Sequence, residues 1–471
     1  MEWEGGHTVT KKAKAPTGDQ VRVGEKILVT IKRMGINGEG VGYFHRKAVF
    51  IPGAITDEVV RARVERVEGT FIEASIVQLV KESDHRIEPN CPVYTTCGGC
   101  QLQHMDYRAQ LNGKAGIVRE AFQRYAKVAE LPMRSILGMR DPWGYRNKAQ
   151  MQVSYANGEV HAGLYAEGSH ELVAIKDCAV QHDAVNRTVE AVRDVVERFK
   201  LPIYSERKRT GGLRTIVARV APHSGDVQVT LVTASAELPR AAELVGAIQR
   251  ACPQVVSIAH NVHSGRGSQV FGEKTRVLWG EERLPAQLNE IRFELSPRAF
   301  FQLNAEQTTK LYDAVREAAQ LTGTEQVVDA YCGTGTIALW LAGQAAEVRG
   351  IEVIPEAIAD AEANARLSGA TNVAFHVGRS EEFLPHWVKQ GYRPDVIVVD
   401  PPRTGCDANL LHAFVHVKPA RIVYVSCNPS TLAKDSATLL GAGYALKWVQ
   451  PVDMFPQTAQ VEAVALFEQT L

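Results

Sequence analysis

Apolar and charged side chains alternate along the early part of the chain. Four short runs show it: KILVTIKRM from Lys26, AVFIPG from Ala48, EVVRARVERV from Glu58 and TFIEASIVQLV from Thr70. Apolar residues spaced two apart are the mark of strands with one face buried. The glycine-rich GINGEGVG turns between the first two runs, and several such runs in close succession predict a small β-barrel over residues 19–81. Residues 1–18 are polar, carry Lys11, Lys12 and Lys14, and follow neither period, which predicts a disordered tail. Beyond the barrel, YRAQLNGKAGIVREAFQRYA has helical character inside a mixed α/β region over 82–295. From residue 296 to 471 strands alternate with helices, the pattern of a mostly parallel, doubly wound α/β sheet.

Composition changes this picture little. A chain of 471 residues with 45% hydrophobic and 23% charged residues is ordinary for a soluble globular protein of several domains. Lys+Arg and Asp+Glu are equal at 53 each, so a nucleic-acid partner has to be met by local patches. The candidates are Arg33, Arg46, Lys47, Arg61 and Arg63 in the barrel and Arg207, Lys208, Arg209 and Arg214 farther on. No apolar run approaches the ~18 residues of a membrane span, and the start lacks the apolar core of a signal peptide. No membrane association and a cytoplasmic location are the expectation, and no obligate protein partner is evident. Cys91, Cys97 and Cys100 fall within CPVYTTCGGC, with Cys178 as a distant fourth. Such spacing suits a metal site in a reducing compartment better than a disulfide framework. Four thiolates suit zinc or an iron–sulfur cube, and the spacing leaves both open beside simple packing.

Four strand ends and one further apolar run in the last region carry candidate chemistry. VVDAYCGTGTIALWLA, Val327 to Ala342, reads as strand, glycine turn and helix, which brings a ligand against backbone amides. GTGTIA also satisfies the dinucleotide fingerprint, and with the thiols it suggests an NAD-linked iron–sulfur oxidoreductase. Asp329 speaks against that reading. A carboxylate beside the loop repels a pyrophosphate and attracts the ammonium and sulfonium of S-adenosylmethionine. Glu352, ending the next strand, is placed to accept from ribose hydroxyls. In DVIVVDPPRTGC, Asp400 reaches the crevice, and Arg403 stands where enzymes that methylate amino groups carry an aromatic residue, which argues against a nitrogen target. Cys427 ends the apolar strand of IVYVSCNPST, and Glu462 is the only charged residue in VEAVALF. Burial there would raise the Glu462 pKa toward a value suited to proton abstraction. In AFFQLN, Asn304 and Gln307 have the spacing of a helix capping box.

Together, SPRAFFQLN, DAYCGTGTIAL, GIEVIPEAI, VVDPPRTG, VSCNPSTLAKD and PQTAQVEAVALFE resemble the S-adenosylmethionine-dependent RNA uracil-5-methyltransferases. With the barrel and the thiols included, the resemblance is greatest to those that act on 23S ribosomal RNA, and it covers roughly residues 20–471. It implies a Rossmann-like S-adenosylmethionine methyltransferase domain, an N-terminal OB-like β-barrel of the TRAM type and a central α+β iron–sulfur and RNA-binding domain. It assigns Cys427 as nucleophile and Glu462 as base. It places S-adenosylmethionine against Gln302, Tyr331, Gly333, Glu352 and Asp400, and a [4Fe–4S] cluster on Cys91, Cys97, Cys100 and Cys178. Carbon 5 of uracil is too poor a nucleophile to attack a methyl sulfonium unless a thiolate first adds at carbon 6. The target uridine would have to be looped out or flipped to meet that thiolate. A transfer-RNA target is the alternative, and it ranks second because family members acting there generally lack the barrel and the cluster.

Overall fold

The computed structural model describes residues 21–266 and 269–470, so the tail expected over residues 1–18 lies outside the described residues. The chain divides into two compact units. One comprises residues 39–84 with the segment ending at Gly35, and the other Ile36–Gly38 with His85–Leu471.

The first unit is a closed five-stranded barrel, Lys26–Met34, Gly40–Phe44, Lys47–Ile51, Val59–Val67 and Phe71–Lys81. Alternation produces it directly: Ile27, Val29, Ile31, Val60, Ala62 and Val64 fill the interior and the charged residues between them face out. Sequence periodicity reads Gly40–Phe44 as part of a turn, but it is the second strand. Glycine is required there because a Cβ on Gly42 would lie 2.2 Å from Val29 Cγ1 and 2.6 Å from the Thr30 carbonyl oxygen. The close strand approach that closes the barrel therefore looks like a loop in composition. Among the basic candidates, Lys47 donates to the Glu68 carbonyl at 2.7 Å and Arg61 to Gln78 at 3.1 Å.

The second unit holds two seven-stranded sheets. The first runs, in spatial order, Lys274–Gly280, Val255–Val262, Val227–Thr233, Leu213–Val220, Lys148–Ala156, Glu159–Tyr165 and Leu172–Ala174. Helices Asp183–Arg198 and Ala241–Ala251 share its apolar core. The second sheet runs Val373–Val377, Glu347–Glu352, Gln326–Asp329, Val396–Val399, Arg421–Ser426, Glu462–Gln469 and Tyr444–Val452. Its first five strands are parallel, and Glu462–Gln469 pairs antiparallel with the neighbour on either side. Strands of this kind, buried on both faces, read as continuous apolar runs, as in VIVV and IVYV. The hairpin Leu284–Leu288 and Ile291–Leu295, which the sequence division at 295 leaves in the central region, buries Leu284, Phe293 and Leu295 in the core of this second sheet.

Asn304 caps helix Ala305–Ala319, accepting from the Gln307 amide at 3.2 Å. The reciprocal half of the expected capping box does not form. Gln307 Nε2 donates instead to the carbonyls of Leu137 and Asp453, at 2.8 and 2.9 Å. No helix among the described residues is long and apolar enough to cross a membrane. All eight cysteines are free thiols; Cys252 is buried in the apolar core of the first sheet, and Cys332 is buried.

Candidate active site

In a doubly wound sheet, the crevice outside the carboxyl ends of the strands opens where strand order reverses. Here that point lies between Gln326–Asp329 and Val396–Val399, which pair in parallel with Asp329 opposite Val398. Asp329 and Asp400 therefore end neighbouring strands, with Glu352 ending the next strand outward. Asp329 is fully buried, and neither carboxylate oxygen has a hydrogen-bond partner among the described residues. Burial first and Asp400 second push its pKa up to about 7, against a weaker downward pull from the Tyr331 and Ala338 amides. Burial likewise pushes Asp400 up to about 6. A pair of carboxyls held this close out of water favours a cation between them.

The loop after Asp329 turns through Gly333 and Gly335, both with positive φ, at +52° and +80°. A Cβ on Gly335 would press on Phe375 at 2.8 Å, whereas one on Gly333 would meet nothing within 4 Å. Gly335 thus serves packing, and Gly333 borders open space. Tyr331 is half-buried beside Cys406 and Asp407, and burial raises its phenol well above the usual range. Gln302 is buried, and its carbonyl accepts from Asn147 Nδ2 at 2.9 Å. Glu352 is half-buried and accepts from the Ile354 amide at 3.0 Å.

Cys427 sits where strand Arg421–Ser426 gives way to helix Pro429–Gly441. The local sequence dictates this junction. Asn428 caps the helix by accepting from the Ser430 amide at 3.1 Å, and Pro429 occupies its first position. Ser426 Oγ closes the corner with two 3.0 Å bonds to the Asn428 main chain. The half-buried thiol opens on a cavity of about 400 Å³ that Gln101, Arg403, Asn428 and Gln460 also line. Glu462, at the start of the adjacent antiparallel strand, lies next to the Ser426–Ala463 pair and is buried. Burial, then Asp400, push its pKa up to about 8, and Arg403 pulls it back.

Burial also raises the Cys427 thiol, with Glu462 and Asp400 adding to the effect. The charge of Arg403 and its side-chain hydrogen bond to the thiol oppose them. Arg403 is the group that favours the thiolate. Sequence analysis marked this residue only as a non-aromatic substitute, because nothing in the chain order shows a guanidinium folding back on Cys427. Asn428 Nδ2 holds its carbonyl at 2.9 Å. The Pro401–Pro402 turn is anchored from the same helix by Asp435, which accepts from the Cys406 amide at 2.9 Å and from Tyr424 Oη at 2.6 Å.

Cys91, Cys97, Cys100 and Cys178 converge, from two segments, on one cavity of about 220 Å³ in the other half of this unit. All four are half-buried. Arg146 and Lys148 line the same cavity. Arg146 Nε is buried without a hydrogen-bond partner, and burial, with the neighbouring charges of Arg219 and Arg146, lowers Lys148 to about 7. Among the described residues no group of three or more His, Cys, Asp or Glu side chains is gathered as the ligands of a metal ion. Of the basic segment, Arg207, Lys208 and Arg209 are exposed. Arg214 is committed to the fold: it donates to the carbonyls of His263 and Gly265 at 2.9 and 2.8 Å and stacks over Tyr204.

Residues 254–470 match the tRNA (Uracil-5-)-methyltransferase family, and residues 20–77 match the TRAM domain. A Bacillus anthracis protein described as an uncharacterized RNA methyltransferase is 52% identical over 94% of this chain and 97% of its own length. Another, from Halalkalibacterium halodurans and described in the same words, is 52% identical over 96% of this chain and 98% of its own. Among solved structures, Pyrococcus abyssi tRNA (uracil-54, C5)-methyltransferase in complex with S-adenosyl-L-homocysteine superposes with a TM-score of 0.74. It is 26% identical and covers 93% of this chain and 99% of its own.

Proposed function

This chain belongs to the RNA uracil-5-methyltransferase family, and we propose that it methylates carbon 5 of uridines in 23S ribosomal RNA through a covalent thiolate adduct. The observation that carries the chemistry is the pairing of strands Arg421–Ser426 and Glu462–Gln469, which sets Cys427 beside Glu462 at one crevice. S-adenosylmethionine is the methyl donor, and when bound it supplies an electrophilic methyl group. The Asp329 carboxylate, buried without a partner, fits the cofactor's cationic end. Gln302, Tyr331, the open side of Gly333, Glu352 and Asp400 complete the cofactor's surroundings.

The Cys427 thiolate adds to carbon 6 and pushes an electron pair toward carbon 5, which takes the methyl group as the methyl–sulfur bond breaks, that bond's electrons staying with the departing S-adenosylhomocysteine. Carbon 5 is left saturated with its proton still attached. The Glu462 carboxylate takes that proton, the double bond re-forms, and the carbon–sulfur bond breaks to return the thiolate. Both groups must be deprotonated to act. The rate therefore rises with pH through the region of about 8 to which Glu462 is pushed. Arg403 lowers both groups. In Arg403→Gln the rising limb of a single-turnover pH–rate profile is expected to move up by roughly one pH unit. An unmoved limb would remove Arg403 from thiol activation.

For the four thiols we infer a [4Fe–4S] cluster. Four thiols lining one cavity beside Arg146 and Lys148 suit a multi-iron anion. Such a group would supply a crosslink between the Cys91–Cys100 segment and Cys178, and no electrons to a reaction that moves none. Equimolar iron and acid-labile sulfide in anaerobically purified protein are expected, and stoichiometric zinc would overturn the assignment.

A transfer-RNA target is the second reading, favoured by the likeness to the Pyrococcus abyssi enzyme. Mass-spectrometric mapping of 5-methyluridine in ribosomal and transfer RNA, from cells with and without the protein, decides between them. A modification lost from 23S RNA supports the first, and loss confined to transfer RNA refutes it.

A further inference from the structure

The connection Asp453–Val461 joins the last two strands of the second sheet, leaving at Val452 and returning at Glu462, which are paired across the ladder. The ladder sets the Glu462 main chain, and the course of the connection sets how the chain enters the strand at Glu462. Helix Tyr107–Ala121, more than 300 residues away in the chain, grips it at two points. At the first, Lys114 Nζ donates to Asp453 Oδ1 at 2.5 Å and to the Phe455 carbonyl at 3.0 Å, and both charged side chains are wholly buried. Tyr107 Oη adds a 2.8 Å bond to Asp453 Oδ2. At the second, Gln110 pairs with Gln457 through its amide in both directions: Oε1 accepts from the Gln457 main chain at 3.0 Å, and Nε2 donates to Gln457 Oε1 at 2.9 Å. The amides of Gln101 and Leu102, directly after Cys100, both donate to the Gln457 carbonyl at 3.0 Å. Gln457 is held at φ +70°, a conformation that a non-glycine residue keeps only when its surroundings impose it.

A fully buried ion pair is an inefficient source of stability, since desolvation offsets most of the attraction, but it fixes geometry sharply. Here its bonds go to the connection, while the helix that carries Lys114 also packs on helix Pro429–Gly441 and its Ile117 borders the Cys427 cavity. Cys427 is held separately, by Ser426 and by Asn428 at the start of the helix that carries Asp435. Proton abstraction depends steeply on the base's position. We propose that Gln110, Lys114 and Asp453 are positioning residues for Glu462, so that this clamp, as distinct from the packing of the helix as a whole, governs release of the methylated RNA and leaves thiolate addition unaffected. The proposal rests on the reading of Glu462 as the base.

The test uses the full-length protein, an RNA carrying ordinary uridine, and S-adenosylmethionine, with RNA–protein adduct and 5-methyluridine followed over a single turnover. Two variants are compared: Lys114→Met/Asp453→Asn, which strands no buried charge, and Gln110→Met, which removes only the amide clamp and keeps the protein foldable should the first fail. Each is expected to form adduct at the wild-type rate and bind S-adenosylhomocysteine as before. Each should release product about 10²-fold more slowly, so that adduct accumulates. Glu462→Gln is the control. If the control accumulates adduct and the clamp variants do not, or if they slow adduct formation and release together, the positioning inference falls alone. If the control itself accumulates none, the base reading falls and takes the inference with it.

Discussion

Cys427→Ala is expected to abolish methylation, lowering the single-turnover rate by about 10⁴-fold or more, as removal of a covalent nucleophile does. No other group in the crevice can replace it. Cys406 and Cys332 are thiols in the same half of the unit, but burial holds Cys406 up at about 12 and Cys332 well above the ordinary thiol range. Neither has a cation comparable to Arg403 among the influences on it. The substitution deletes one sulfur from a half-buried position whose main chain is fixed by Ser426 and Asn428. Folding and binding of S-adenosylhomocysteine should therefore persist, which a thermal-shift titration checks alongside the rate. Wild-type turnover in this variant would refute the covalent route altogether.

Glu462→Gln should divide the reaction in two. Addition of the thiolate and formation of the new carbon–carbon bond need no base at carbon 5, whereas expulsion of the thiolate does. Product formation is expected to slow by about 10²- to 10⁴-fold, with the protein trapped on ordinary uridine RNA as a band that survives denaturing electrophoresis. A second consequence concerns stability. The Glu462 carboxyl is pushed up to about 8 in the fold, so the native state holds its proton more tightly than the unfolded chain does. Its contribution to stability is then present at low pH and lost as pH rises toward 8. The neutral glutamine escapes that loss. Above about pH 8 the variant should melt at a higher temperature than the wild type, and the difference should shrink toward pH 5. A variant that is inactive, forms no adduct and melts lower would identify Glu462 as a structural residue.

Candidate reactive groups are legible in the sequence wherever a strong local period meets an exception to it. Cys427 and Glu462 each interrupt or end an apolar run, and a polar group placed in such a run has either to be paired or to act. Asp329 and Asp400 stand at the ends of apolar strands of a sheet buried on both faces, and Glu352 ends the neighbouring strand, whose sequence EVRGIE is not apolar throughout. The strand Gly40–Phe44 was missed because the glycines that permit close packing are the residues that otherwise mark turns. The packing of hairpin Leu284–Leu295 into the core of the second sheet is not legible locally, because it has the same local pattern whichever sheet it covers.

The sequence by itself determined the chemistry available: a thiol, a carboxylate, a glycine loop and four further thiols, each set by the identity of a residue within a short segment. Only the tertiary structure decided how those groups are tuned and held. Arg403 lowers a thiol across a turn, and Lys114 grips Asp453 from the far end of the chain. Electrostatic and hydrogen-bond energies depend on distances between segments, and residue spacing along the chain carries no record of those distances until the sheet and its helices have closed.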